Sequence, residues 1–214
     1  MTDREPDLLD VLDSERVIAF VIYPGLTPLD LVGPVQVLSQ LGPPYRLCVV
    51  GEEVRPLETD TPIRIEPSHT FAEVPDPYAV FVPGGAAAAL RAMADEAVQG
   101  YLRDAAGRAR LIGSVCTGSL VLAAAGLLEG KRATTHWTCM GWLKKLGARP
   151  VQERWVEDGN CVTAAGISAG IDWALALTAR LKGEEHARRV QILLEYDPDP
   201  PFGWIDWDNK ADFD

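Results

Sequence analysis

Apolar residues fall along the chain in two alternating rhythms. RVIAFVIY (Arg16 to Tyr23), YRLCVVG (Tyr45 to Gly51), AVFVPGG (Ala79 to Gly85) and RLIGSV (Arg110 to Val115) are nearly continuous apolar runs of strand length. Strands buried on both faces read this way. Between and after them, LDLVGPVQVLSQL (Leu29 to Leu41), the alanine-rich stretch behind Gly85, Glu96 to Ala109 and TGSLVLAAAGLL read as helices. The first of these is stopped by Gly42-Pro43-Pro44, as helices commonly are. IRIEPSHTF (Ile63 to Phe71) predicts a shorter, more polar strand interrupted by Pro67. RWVEDGNCVTAAG predicts a hairpin turning at Asp158-Gly159. Ser168 to Leu181 and Glu184 to Glu195 are the closing helices. Apolar strands alternating with helices imply an α/β fold, a mostly parallel sheet with helices on both faces.

No linker, repeat or low-complexity stretch divides this pattern. The expected organisation is a polar N-terminal extension over 1–15, one α/β domain over 16–202, and a short acidic tail over 203–214 that carries Trp204 and Trp207. Those two indoles could shape a pocket or a dimer contact; packing on the surface is the reading preferred here. A net charge of −11 and the absence of a basic stripe argue against a nucleic-acid partner. The acidic start MTDREPDLLDVLDSE lacks the positive end and apolar run of a signal peptide, and no apolar run is long enough to span a membrane. Cys48, Cys116, Cys139 and Cys161 show neither CxxC pairing nor Cys/His metal spacing. They read as reduced thiols of a cytoplasmic protein without a metal site. Cys48, Cys139 and Cys161 are expected to be buried small hydrophobes.

Cys116 is the candidate for chemistry. In GSVCTGS it stands between a strand and a helix with small residues on both sides. A nucleophile elbow needs that composition, because the turn is too tight for side chains. Free N–H groups of the following helix are expected to favour thiolate and lower the thiol pKa from about 8.5. The alternative is a buried core thiol. Asp30, in LDLVGP behind the first strand, faces the same sheet edge. It is equally readable as a general acid/base or as a helix N-cap. Gly84 and Gly85 follow another strand at that edge, where their N–H groups suit an oxyanion hole or a plain tight turn. His69 and His136 are candidates for a Cys-His pair, though a structural role for His136 is the commoner outcome; His186 is expected to be solvated.

Taken together, LDLVGP, VPGG, SVCTGSLVLAAAGLL, GKRATTHW, ERWVEDGN, AAGISAGIDWALAL and VQILLEYDPDPPF resemble the DJ-1/PfpI superfamily, and within it the isocyanide hydratase branch. The resemblance implies a flavodoxin-like three-layer sandwich. It also implies Cys116 as nucleophile, Asp30 as general acid/base and Thr117 as a second polar group at the sulfur. Gly84, Gly85, Gly166, Ile167 and Tyr196 then fall to substrate binding or the oxyanion. Amidase- and protease-like relatives carry histidine directly after the nucleophile; Thr117 stands there here. The implied activity is hydration of an isocyanide to an N-formamide through a cysteine thioimidate, by a homodimer, with no cofactor. A glyoxalase- or deglycase-like enzyme, and a sensor domain like those of AraC-type regulators, are the alternatives. SVCTGS and TTHW also resemble the sensor domains of such regulators.

Overall fold

The computed structural model describes residues 15–207. Most of the N-terminal extension and the end of the acidic tail therefore lie outside the described residues. β1 (Arg16–Val21), β2 (Tyr45–Gly51), β6 (Ala79–Val82) and β7 (Leu111–Val115) form where the apolar runs predict them. With β5 (His69–Thr70), β10 (Trp155–Asp158) and β11 (Cys161–Ala164) they make one seven-stranded sheet in the order β10-β11-β7-β6-β1-β2-β5. Every neighbouring pair in it is parallel except the β10–β11 hairpin. Every residue of β6, β7 and β11 is buried. That burial is why these strands read as unbroken apolar runs and not as alternating ones.

Helix α1 (Pro28–Leu38) packs on α6 (Ala169–Lys182), and α6 packs on α7 (Glu184–Leu193). A second group comprises α2 (Ala87–Ala92), α3 (Glu96–Ala106) and α4 (Gly118–Ala124), with α2 and α3 both against α4. The sheet lies between the two groups, giving a three-layer α/β sandwich of flavodoxin-like type. An aromatic stack joins sheet to helix: Phe81 on β6 packs against Phe20 on β1 at 5.5 Å and edge-on against Trp173 of α6 at 4.7 Å. Gly113 on β7 makes room for that ring, since a Cβ there would stand 2.6 Å from Phe81 Cδ1.

Several elements depart from the sequence pattern. The stretch broken at Pro67 becomes two strands: β4 (Arg64–Ile65) pairs with β3 (Leu57–Glu58), while His69–Thr70 joins the edge of the main sheet. The hairpin turns at Gly159-Asn160, one position later than predicted, because Asp158 pairs with Cys161 and Gly159 takes φ +65°. β8 (Arg132–Ala133), β9 (Arg149–Pro150) and α5 (Met140–Lys145) were not signalled; strands of two residues carry no readable period. Cys139 is half-buried, not a core residue, and all four cysteines are free thiols. His186 is not simply solvated, since its Nε2 bonds the Gln40 carbonyl at 2.9 Å. None of the helices among the described residues is long and apolar enough to cross a membrane.

The Phe20–Phe81–Trp173 stack is expected to carry a large share of the stability. Phe81→Ala should lower the free energy of urea unfolding by about 3–5 kcal/mol, the usual loss for a buried phenylalanine. A loss below about 1 kcal/mol would mean the sheet–helix interface is held elsewhere.

Candidate active site

β11, β7, β6 and β1 are adjacent, parallel along the sheet, and end at one edge. In open α/β sheets that edge is where ligands bind. Four segments leave it side by side: Ala165-Gly166-Ile167 after β11, Cys116 after β7, Pro83-Gly84-Gly85 after β6, and the loop after β1 that leads to Asp30. The predicted residues that lie far apart in sequence are thereby brought together.

Cys116 adopts φ +57°, a left-handed conformation that costs a non-glycine residue roughly 1–3 kcal/mol. Its backbone is held there on every side. Its N–H donates to Ala164 O at 2.9 Å, and its carbonyl accepts from Ser119 Oγ and Thr135 Oγ1, each at 3.1 Å. The turn also needs space. A Cβ on Gly118 would stand 2.2 Å from Val82 O, and one on Gly166 would stand 2.9 Å from Cys116 Sγ. Gly166 itself has φ +115°, so its position demands glycine twice over.

Asp30 is only 1% exposed. It is not the N-cap of α1, which is Thr27; it sits in the first turn with its carboxyl aimed inward. Gly84 N–H donates to Oδ2 at 3.0 Å, while Oδ1 is buried with no hydrogen-bond partner among the described residues. Burial drives the carboxyl from 3.8 up to about 7, against the opposing hydrogen bonds from Gly84 N–H and the Cys116 thiol. Burial also drives the Cys116 thiol upward, and the neighbouring Asp30 charge raises it further. The Thr117 N–H and hydroxyl oppose this by hydrogen bonding to the sulfur. The expectation of an acidic thiol is therefore corrected. A helix of only seven residues and two donors are outweighed by desolvation and an adjacent carboxylate.

The oxyanion reading of Gly84 and Gly85 also changes. Gly84 N–H is engaged by Asp30, and Gly85 N–H donates to Thr117 Oγ1 at 3.0 Å. These two N–H groups orient the side chains at the sulfur. Thr117 Oγ1 accepts from Gly85 N–H, and the Thr117 hydroxyl acts to lower the thiol pKa. Behind this turn, Tyr23 Oη donates to Pro83 O at 2.8 Å and fixes the loop.

One turn away lies a cavity of about 600 Å³ whose lining reaches Cys116 only through its neighbours. It is lined by Gly166, which abuts the Cys116 side chain, by Thr135, which bonds the Cys116 carbonyl, and by Ile167, His136 and Trp137. His136 is thus near the site; partial burial lowers its pKa, favouring the neutral ring, and Nδ1 bonds Thr138 Oγ1 at 2.8 Å. His69 lies at the far sheet edge on β5. Tyr196 does not line the cavity. Its hydroxyl donates to Asp172 Oδ1 at 2.8 Å, and Asp172 pairs with Arg154, which does line it. Trp207 and Ile205 line the cavity as well, whereas Trp204 is 83% exposed; the surface-packing reading fails for Trp207. Thr135 was missed in the sequence, where TTHW gives no sign that its hydroxyl reaches Cys116. Among the described residues no three His, Cys, Asp or Glu side chains converge as a metal site.

The chain is similar to known proteins over most of its length. The DJ-1/PfpI family model matches residues 16–180. The chain is 46% identical over 185 residues to the isonitrile hydratase of Pseudomonas putida, covering 86% of this chain and 80% of that enzyme. A crystal structure of a ThiJ/PfpI family protein from Pseudomonas syringae superimposes with TM-score 0.86 at 39% identity, over 94% of this chain and 84% of that one. The transcriptional regulator GbdR of Pseudomonas aeruginosa is 28% identical over 92% of this chain, which spans about half, 55%, of the regulator. With the family model covering most of its length and the sheet matching in three dimensions, this chain belongs to the DJ-1/PfpI family.

Proposed function

We propose that the protein hydrates isocyanides to N-formamides, with Cys116 as nucleophile and Asp30 as the group that moves protons. The observation that carries the reading is the buried Asp30 carboxyl beside the Cys116 sulfur, with Oδ1 left unpaired and its pKa near neutrality. A proton carrier works best when its pKa lies near the working pH. The similarity to the Pseudomonas putida isonitrile hydratase supports the same activity.

The terminal carbon of an isocyanide is both electrophilic and able to take a proton. As the sulfur attacks that carbon, ionised Asp30 accepts the thiol proton, so no free thiolate is needed beforehand. The C–S bond forms, the same proton passes to carbon, and the product is the thioimidate R–N=CH–S–Cys. Water then adds across the C=N bond, its oxygen to carbon and a proton to nitrogen. The adduct R–NH–CH(OH)–S–Cys collapses: the C–S bond breaks, the hydroxyl proton returns through Asp30 to sulfur, and R–NH–CHO leaves. Covalent capture divides one difficult addition into two easier ones. The Thr117 hydroxyl and N–H steady the charge that grows on sulfur in both halves. The balance uses only water and substrate. Residues 16–202 form the α/β domain that carries the reacting residues in this reading, and it acts as a cytoplasmic homodimer. Leu29 and Val32, exposed on α1 beside Asp30, suit such a contact.

Incubating the purified protein with an aryl and an alkyl isocyanide, and following formamide by mass spectrometry, tests the reading. Turnover should vanish in Cys116→Ala. It should fall roughly a hundredfold or more in Asp30→Asn, the usual worth of a general acid/base. The active pair holds a single proton, on sulfur with Asp30 ionised. kcat/KM should therefore rise with pH through about 7 and level off above it; Asp30→Asn should lose that rise. Binding of isocyanide without formamide would assign the site to sensing, and turnover of small aldehydes alone would assign it to the glyoxalase-like class.

The pairing makes a separate expectation for alkylation. Iodoacetamide labelling of Cys116 should titrate above the ordinary thiol value of about 8.5. Asp30→Asn should move the midpoint to lower pH by removing the neighbouring charge, and Thr117→Val should move it higher by removing a donor to sulfur. A wild-type midpoint below about 7 would mean that thiolate is the resting state and that Asp30 has another task.

A further inference from the structure

The segment after α7 runs back over the molecule and contributes Ile205 and Trp207 to the cavity. Its course is held by identifiable contacts. Tyr196 roots it: the N–H donates to Gln191 O at 3.0 Å, Gln191 Nε2 donates to Tyr196 O at 3.1 Å, and the phenol donates to Asp172. Asp172 also receives Arg154, whose Nη2 reaches Ser168 Oγ at 3.2 Å, so the root is tied to the cavity wall and to the start of α6. Pro198, Pro200 and Pro201 then stiffen the chain, since each proline fixes φ. At Gly203, with φ +73°, a turn closed by Gly203 N–H to Pro200 O at 2.9 Å sends it back. The sequence therefore builds an anchored, stiff arm with a reversal, and the two residues beyond the reversal that meet the cavity are large and apolar.

The charge of the opposite wall fits the same purpose. Arg154 is neutralised by Asp172, and Glu153 is paired with Arg132 at 3.4 Å. Trp137, Met140 and Ile167 provide the apolar remainder. A cavity of about 600 Å³ with matched charges and two indoles suits an uncharged, flat group far larger than the reacting carbon. Building on the hydratase reading, we infer that the 203–207 strap is the outer wall of the substrate site and selects isocyanides with bulky, uncharged aromatic substituents through Ile205 and Trp207.

The test is the double variant Ile205→Ala/Trp207→Ala, with Trp204→Ala as control, assayed on phenyl and methyl isocyanide. Loss of the wall should lower kcat/KM for the phenyl compound about tenfold or more, through KM, as expected when apolar contacts leave a pocket. The methyl compound should change less than about twofold, and Trp204→Ala should leave the ratio unaltered. A second readout does not need hydration: alkylation of Cys116 by N-phenylmaleimide and N-methylmaleimide, followed on the Cys116 peptide by mass spectrometry. The phenyl-over-methyl rate ratio should fall in the double variant. If the wild type makes no formamide but this ratio falls, the hydratase reading fails and the strap assignment stands. If the ratios are unchanged, or both members of a pair fall equally, the strap is not the selecting wall.

Discussion

The burial of one carboxyl against one thiol is the constraint on which the rest of the site depends. Asp30 at 1% exposure is held by Gly84 N–H and the Cys116 thiol, too little to offset its desolvation, and its pKa rises from 3.8 to about 7. A folded pKa above the unfolded one places the stability on the acid side. It is fully present below about 4 and is lost as pH rises through about 7, where the folded protein must carry a buried anion. Three pKa units correspond to about 4 kcal/mol, with left-handed strain at Cys116 in addition. The apolar strands and the Phe20–Phe81–Trp173 stack supply the stability that tolerates both. A raised carboxyl pKa and a left-handed cysteine side by side at one sheet edge form a combination expected of a functional site.

Much of this was legible in the sequence, for reasons that can be named. Central strands such as β1 and β6 are buried on both faces, so only unbroken apolar runs can form them. GSVCTGS announced the turn because nothing larger than glycine fits at Gly118, where a Cβ would collide with Val82 O. Asp30 was placed at the right edge, but its two readings stayed level until the structure put Thr27 at the cap and the Asp30 carboxyl on Gly84. What the sequence hid is long-range or energetic. The Thr135 hydroxyl meets Cys116 O across 19 residues, and the fate of the Gly84 and Gly85 N–H groups depends on side chains 54 and 32 positions away. The direction of the thiol shift depends on the balance of burial against two hydrogen bonds, which no spacing rule weighs.

Two parts of the site differ in how they are built. The cysteine turn and its neighbours come from four adjacent strand ends, where Cys116, Asp30, Thr117 and the glycines are placed by the sheet register and by backbone hydrogen bonds. The surrounding part comes from irregular chain: the 134–140 stretch, the 152–154 stretch before β10, and the strap at 203–207. The two parts meet at Thr135, whose hydroxyl bonds the Cys116 carbonyl. One framework recurs in relatives as unlike as an isonitrile hydratase and part of a transcriptional regulator. That recurrence says where to look when assigning function within the family. The cysteine turn reports that a reactive thiol is possible, and the carboxyl beside it reports how protons are handled. The cavity walls are built from short elements and irregular loops, which leave the least trace in sequence pattern.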